Sequence, residues 1–384
     1  MSLNKILFVS HDGNRAGAQI FLFNIMKHFK SKNFGVVLLI LDDWGSFKND
    51  FEDNFETFYF NRSATTSNIT KFKEKIFQKK SSLLQIQEKH KFDLIYVNTI
   101  ASISLLKNLK ATFNVPIVTH IHELAYSIHL YGPSDSYALL NDFSNKIIAC
   151  SNAVAQNLIF QNPALKSKTE VVHSFIDNSE ILEKTKSLEQ NFIKDKFNIP
   201  ATRFLVGTCG NADWRKAPDF FLKTAAESIT MDKNIHFVWI GIKEEDPLWY
   251  QLNFDAQKMG IANHITWISP TTDAVNIINS LDLFFISSRE DPFPLVMLEA
   301  ALCQKPILGF KNTGGAEEFI KSDAGKLANY GDFDEMAKEI INFKNNPQLI
   351  LQAGKNAKNK VENLYSFDSS IKKISNILLG AISH

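Results

Sequence analysis

Short continuous apolar runs alternate along the chain with longer stretches of helical spacing. In the first half the runs are Ile6–Ser10, Val36–Leu41, Leu94–Val97, Ile117–Thr119 and Lys146–Ala149. None shows the in-and-out alternation of a half-exposed strand, so strands covered on both faces are expected. Between the first two, Phe21, Leu22, Ile25, Met26 and Phe29 recur at helical spacing within Ala18–Phe29. Strand, helix and strand in repetition predict a parallel, doubly wound sheet. The second half repeats this grammar. Strands are predicted at Phe204–Thr208, His236–Ile240, Ile265–Ile268, Leu283–Ile286 and Pro306–Gly309, and helices around Asp219–Ile229, Asp273–Ser280, Leu295–Leu302 and Glu335–Phe343. Between the halves, the apolar segment Val171–Asp177 runs into the polar stretch Asn178–Asn191, which puts a hinge near Ser174–Asp177. The pattern predicts two α/β units, 1–177 and 178–365, facing a central cleft. Ligands then belong beyond the carboxyl ends of the strands.

Charge and cysteine content narrow the function classes. Across 384 residues, 42 Lys+Arg oppose 41 Asp+Glu for a net charge of +1, so no nucleic-acid partner is expected. Cys150, Cys209 and Cys303 lie too far apart in sequence for a Cys-x-x-Cys metal site or a disulfide framework. No run reaches the roughly 20 apolar residues of a membrane span, and Met1–Lys5 leads straight into a strand. The expected location is the cytoplasm, with a peripheral contact on the inner face of the plasma membrane. The basic stretch Lys71–Lys91 carries seven lysines among apolar residues and is the candidate for that contact. Its plainer reading is the solvated face of a surface helix.

The richest chemistry follows the predicted strand Leu283–Ile286, in Ser287-Ser288-Arg289-Glu290-Asp291-Pro292-Phe293-Pro294-Leu295-Val296-Met297-Leu298-Glu299-Ala300. Pro294 suits a first helical position, so the helix is expected to begin there and to leave Asp291 on the entering loop. The free N–H groups of Leu295, Val296 and Met297 would then form an anion site. Amides for a diphosphate, one carboxylate for a sugar and another for a ribose together describe a nucleotide-sugar site. The plainer reading makes Asp291 a helix cap and Glu299 a solvated helix residue.

This stretch resembles the Glu-x7-Glu motif of the family-four (group 1) retaining glycosyltransferases, whose GT-B architecture pairs two Rossmann-like domains. The resemblance implies that Asp291, in place of the first Glu, contacts the transferred sugar, and that Glu299 holds the ribose. Adjacent Glu290 would share the sugar contact, and Phe293, Pro294, Leu295 and Val296 would line the donor. The segment Gly207-Thr208-Cys209-Gly210-Asn211-Ala212-Asp213-Trp214-Arg215-Lys216-Ala217 resembles the loop whose Arg and Lys bind the donor diphosphate. Lys216 matches the lysine. Asn211 stands at the arginine position, and Arg215 is its substitute. Cations there would stabilise the charge that develops on the leaving group. Asn312-Thr313-Gly314-Gly315-Ala316-Glu317-Glu318 resembles the Gly-Gly-x-x-Glu turn.

In the first half, Gly13-Asn14-Arg15-Ala16-Gly17-Ala18-Gln19 resembles the family's glycine-rich loop, with Gly17 near the donor phosphate or the acceptor hydroxyl. It departs from the dinucleotide fingerprint of nicotinamide enzymes. The family histidine at a strand end is matched by His122, with His120 read as facing the other side. Arg215 and Lys216, with His122 and Asp291, are the implied catalytic group. By the same resemblance the terminal helix, 366–384, packs back on the first domain.

The function implied is transfer of a sugar from a nucleotide-diphosphate donor to a hydroxyl of a glycan or lipid-linked saccharide, as in bacterial surface polysaccharide synthesis. Configuration would be retained, with no metal and no cofactor beyond the donor. The alternatives are a nucleotide-sugar epimerase of the same architecture and a non-catalytic nucleotide-sugar-binding protein.

Overall fold

The computed structural model describes residues 4–61, 82–185 and 192–382. They divide into two compact units, one within Met1–His173 and Ile371–His384, the other Ser174–Ser370. The last helix, Phe367–Ile382, therefore starts in the second unit and from Ile371 belongs to the first. Of the basic stretch Lys71–Lys91, residues 71–81 lie outside the described residues, while Ser82–Lys89 is a helix with Leu83 and Ile86 buried. No helix among the described residues is long and apolar enough to cross a membrane.

Among the described residues the first unit is built on seven parallel strands. They are β1 (Lys5–Ser10), β2 (Gly35–Asp42), β3 (Glu56–Asn61), β4 (Leu94–Asn98), β5 (Ile117–Ile121), β6 (Lys146–Ala149) and β7 (Thr169–Val171). Their order in the sheet is β3-β2-β1-β4-β5-β6-β7, and each ladder is parallel. The central strands are buried throughout: Ile6, Leu7, Phe8 and Val9 of β1 and Leu94–Val97 of β4 have no exposure. That is why their sequences read as unbroken apolar runs. The helix Gly17–Ser31 covers one face with Phe21, Leu22, Ile25, Met26 and Phe29.

The second unit repeats the plan with β8 (Phe204–Cys209), β9 (Ile235–Ile240), β10 (Ile265–Ile268), β11 (Leu283–Ile286), β12 (Ile307–Phe310) and β13 (Gly325–Ala328). The order is β10-β9-β8-β11-β12-β13, again parallel. Its core is aromatic. Phe221, on the helix Pro218–Met231, packs edge-on to Phe237 and Trp239 and lies parallel to Phe285 at 6.2 Å. Both sheets reverse strand order at one point, between β1 and β4 in the first and between β8 and β11 in the second. Flanking loops there part to opposite faces and leave a crevice at the carboxyl ends of the strands.

Candidate active site

In the second unit that reversal point holds the charged residues singled out in the sequence. Lys216 follows β8 and Asp291 follows β11, and Lys216 Nζ donates to Asp291 Oδ2 at 2.6 Å. The carboxylate is nearly buried and also accepts from Ser288 Oγ at 3.3 Å. Its backbone is tied to the turn after β12, since Asp291 N–H donates to the Thr313 carbonyl and Gly315 N–H to the Asp291 carbonyl. The lysine is held as firmly. Ser287 Oγ donates to the Lys216 carbonyl, and the Lys216 N–H donates to Asp213 Oδ1 at 2.8 Å. Gly210, with φ at +154°, starts the loop next to the lysine stem. Glu299 lies close enough to Cys209 to act on it electrically. Burial pushes the Cys209 thiol up to about 12, the Glu299 carboxylate adds to the rise, and the Lys216 ammonium opposes it. Lys216 and Asp291 thus meet at the ends of β8 and β11, and Lys216 and Glu299 both act on the Cys209 thiol at the end of β8.

The other expected donor residues divide by what their side chains do. Arg215 is partly exposed and turned onto Asp213, Nη2 to Oδ2 at 3.4 Å, while its carbonyl accepts from the Arg289 N–H at 2.7 Å. Asn211 is exposed and Glu290 half-buried. Phe293 is buried against Tyr365, ring centroids 5.4 Å apart, so its side chain supports the loop from beneath. Pro294 caps the helix rather than opening it. Its ψ of 117° is extended, and the helix runs Leu295–Leu302. The Met297 N–H is also not free, because it donates to the Pro294 carbonyl at 3.1 Å. Leu295 and Val296 remain as the first-turn amides without an intrahelical acceptor.

In the first unit the reversal point holds a neutral polar network. His122, just past β5, faces Asn98 at the end of β4, Nε2 to Oδ1 at 2.9 Å. Asn98 Nδ2 donates in turn to the Ala18 carbonyl at 3.1 Å. His120 stacks on His122 with centroids 4.1 Å apart and planes 24° from parallel. The expectation that His120 faces away is therefore wrong, because residues two apart on a strand share a face. Burial, with His11 nearby, lowers His122 to about 3, and burial also holds His120 well below the usual imidazole value. Both rings are neutral at physiological pH. Gly17 is exposed and opens the helix Gly17–Ser31, two residues before Gln19, whose amide nitrogen bonds to Asp12.

The comparisons with known proteins agree on one family. A model described as glycosyl transferases group 1 matches residues 189–360, and one described as glycosyltransferase family 4 matches residues 15–180. The chain is a group 1 glycosyltransferase of the GT-B fold. HepE of Anabaena, solved in complex with UDP, shares the fold with a TM-score of 0.82 and 22% identity, over 98% of this chain and 100% of that one. The O-antigen biosynthesis glycosyltransferase WclY of Escherichia coli is 24% identical over 79% of each chain. The capsular polysaccharide biosynthesis glycosyltransferase CapM of Staphylococcus aureus is 23% identical over 57% of each.

Two supports of the candidate site carry no mark in the sequence of this glycosyltransferase. Arg289 grips Asp219 through both guanidinium nitrogens, at 2.9 and 2.6 Å, donates to the Trp214 carbonyl and lies 4.1 Å over the Phe220 ring. It locks the loop that carries Lys216 to the loop that carries Asp291. Asn98 was missed for the same reason, since its partners Ala18 and His122 are distant in sequence. Only an arginine two residues before the first acidic residue, or a polar residue closing an apolar strand, could have drawn attention to them.

Proposed function

We propose that this glycosyltransferase moves a sugar from a nucleotide-diphosphate donor to a hydroxyl of a glycan or lipid-linked saccharide, in surface polysaccharide synthesis and with retention of configuration. The observation that carries the reading is the Lys216–Asp291 pair at the strand-order reversal of the second unit, 2.6 Å between charged atoms, beside Glu299 and the open first-turn amides of Leu295 and Val296. Those amides and the Lys216 ammonium suit a diphosphate. Arg215 adds a second cation, Glu299 takes the ribose hydroxyls, and Asp291 with Glu290 takes the sugar. The acceptor hydroxyl attacks the anomeric carbon from the face that the diphosphate leaves, and the departing phosphate oxygen takes its proton. The protein then supplies position and charge rather than a nucleophile. Lys216 and Arg215 meet the charge that a metal ion would otherwise meet. His122, neutral, accepts from a sugar hydroxyl. The capsular and O-antigen roles of the relatives and the UDP bound to HepE support the substrate classes. A cytoplasmic location at the inner face of the membrane belongs to the same proposal, since lipid-linked saccharides lie there.

A thermal-shift series with UDP, GDP, UDP-glucose and GDP-mannose tests the reading, repeated on Lys216→Ala and Glu299→Ala. At least one nucleotide should raise the melting temperature of the native chain, and both substitutions should remove most of the rise. Full ligand-induced stabilisation in both variants would overturn the site.

A further inference from the structure

We infer that Asn98 is a positioning residue that fixes which nitrogen of His122 carries the proton, and so makes His122 a pure acceptor toward a sugar hydroxyl. This rests on the reading of His122 as a group that meets the sugar. The argument runs from the amide. An asparagine side chain offers two donors on nitrogen and an acceptor oxygen, and its partners decide which end points where. The Ala18 carbonyl can only accept, so the atom 3.1 Å from it is the Asn98 nitrogen. The atom facing His122 at 2.9 Å is then the amide oxygen, which can only accept. A neutral imidazole that meets an acceptor must donate, so Nε2 bears the hydrogen and Nδ1 keeps its lone pair. Among the described residues Nδ1 has no hydrogen-bond partner.

The rest of the pocket holds this arrangement in place. The ring stacks on His120, and Phe21 abuts the side of the pair, its centroid 5.3 Å from His120 and 5.4 Å from His122. The His122 N–H donates to Glu123 Oε2, which also accepts from the Ile100 N–H and ties the end of β5 to the turn after β4. Ser102 Oγ donates to the Asn98 carbonyl and fixes its backbone. The titratable groups around His122 are His120, stacked on it, His11, close enough to act on it electrically, and Glu123, at its backbone; Tyr96 reaches it only through His120. None makes it a cation, because burial and His11 hold its proton affinity down to about 3. A ring that cannot charge and cannot turn over its tautomer accepts from a hydroxyl and gives nothing back. Selection for a hydroxyl-bearing sugar follows, since a group without a proton to donate would leave the lone pair unmet.

Nitrogen-15 NMR of the full chain labelled at histidine reads the tautomer with no substrate present. In the native chain His122 should show a protonated Nε2 and a bare Nδ1, unchanged from pH 5 to 8. Asn98→Ala removes the acceptor, so the ring should become a tautomer mixture, and kcat with a sugar donor should fall about tenfold while the UDP-induced thermal shift stays. Asn98→Asp keeps an acceptor in place, so Nε2–H should persist, but the new carboxylate should raise the His122 pKa and give turnover a pH dependence that the native enzyme lacks. A native His122 with Nδ1 protonated, or an Asn98→Ala protein with unaltered tautomer and unaltered kcat, overturns the inference. Absence of turnover with every sugar donor would instead count against the proposed function and leave the tautomer result standing.

Discussion

Lys216 and Asp291 stand 75 residues apart in the chain, yet the ammonium lies 2.6 Å from the carboxylate at the point where the second sheet reverses its strand order. Each charge proposed to meet the donor is neutralised by the other before the donor arrives. The Asp291 side chain is 8% exposed and the Lys216 side chain 20%. Breaking the pair from one side therefore leaves a charge that water reaches poorly. Donor binding must share or replace this contact, so the two partners should fail differently when changed.

Lys216→Ala leaves Asp291 with Ser288 Oγ as its remaining side-chain partner at 3.3 Å. Removing one member of a largely buried pair destabilises by about 3 kcal/mol. The melting temperature should fall by several degrees, and UDP should no longer raise it. Calorimetry with and without UDP checks both.

Asp291→Asn keeps a polar partner for Lys216 and frees the cation for a diphosphate. UDP binding should be retained or tightened, while turnover of a nucleotide-sugar donor should drop by a hundredfold or more. Isothermal titration with UDP beside a donor-consumption assay separates the two. Equal loss of both would show that Asp291 serves the diphosphate instead of the sugar.

Arg289→Lys tests the brace between the loops. Lysine cannot grip Asp219 with two nitrogens while lying over Phe220 and donating to the Trp214 carbonyl. Asp219 is 42% exposed, so the stability change should be modest, about 1 kcal/mol. UDP affinity should fall several-fold as the Lys216 loop loosens, with the melting temperature of the unliganded protein lowered by only about 2–4 °C.

How far the sequence reaches depends on how local the determining physics is. Strands with continuous apolar runs announce themselves: β6, β11 and even the edge strand β10 span the predicted residues. The edge strands β3, β7 and β13 carry half-exposed or exposed positions and few continuous apolar residues, and the pattern does not predict them. Lys216 and Asp291 were legible because each sits in a distinctive local motif. Their contact was not, because it depends on strand order, which brings β8 beside β11. The helix start was misplaced by one residue because proline's fixed φ suits both the cap and the first turn, and only ψ decides between them. Asn98 carries no local mark, since its two partners come from a helix start and from the end of another strand.

Gly315→Ala should disturb the site from below. A Cβ there would collide with the Pro292 carbonyl oxygen and the Phe293 ring, and the first of these is backbone with nowhere to go. The Gly315 N–H also holds the Asp291 carbonyl. Overpacking of this kind destabilises by about 2 kcal/mol. Chemical denaturation should show that loss together with weaker UDP binding, whereas Gly380→Ala, inside the last helix with open space around it, should leave UDP binding unchanged and raise stability by about 0.5–1 kcal/mol.

Acid sensitivity follows from His236, at the start of the second unit's sheet and remote from the loops that carry Lys216 and Asp291. Its Nε2 bonds to Thr266 Oγ1 at 2.8 Å, and burial, with Arg203 and His264 nearby, lowers it to about 4. The unfolded chain takes up this proton near 6.5, the folded chain not until about 4. Between those values the unfolded state binds more protons, so stability is full above 6.5 and declines as pH falls toward 4. His236 alone accounts for about 3 kcal/mol of that decline, at ~1.4 kcal/mol per pH unit. His236→Gln keeps a hydrogen-bonding partner for Thr266 and cannot charge. Urea melts from pH 7 to 4.5 should therefore show a shallower acid loss in the variant, with about one fewer proton taken up on unfolding. Superimposable pH profiles would mean that His236 takes up its proton at the same pH in the folded and unfolded chains.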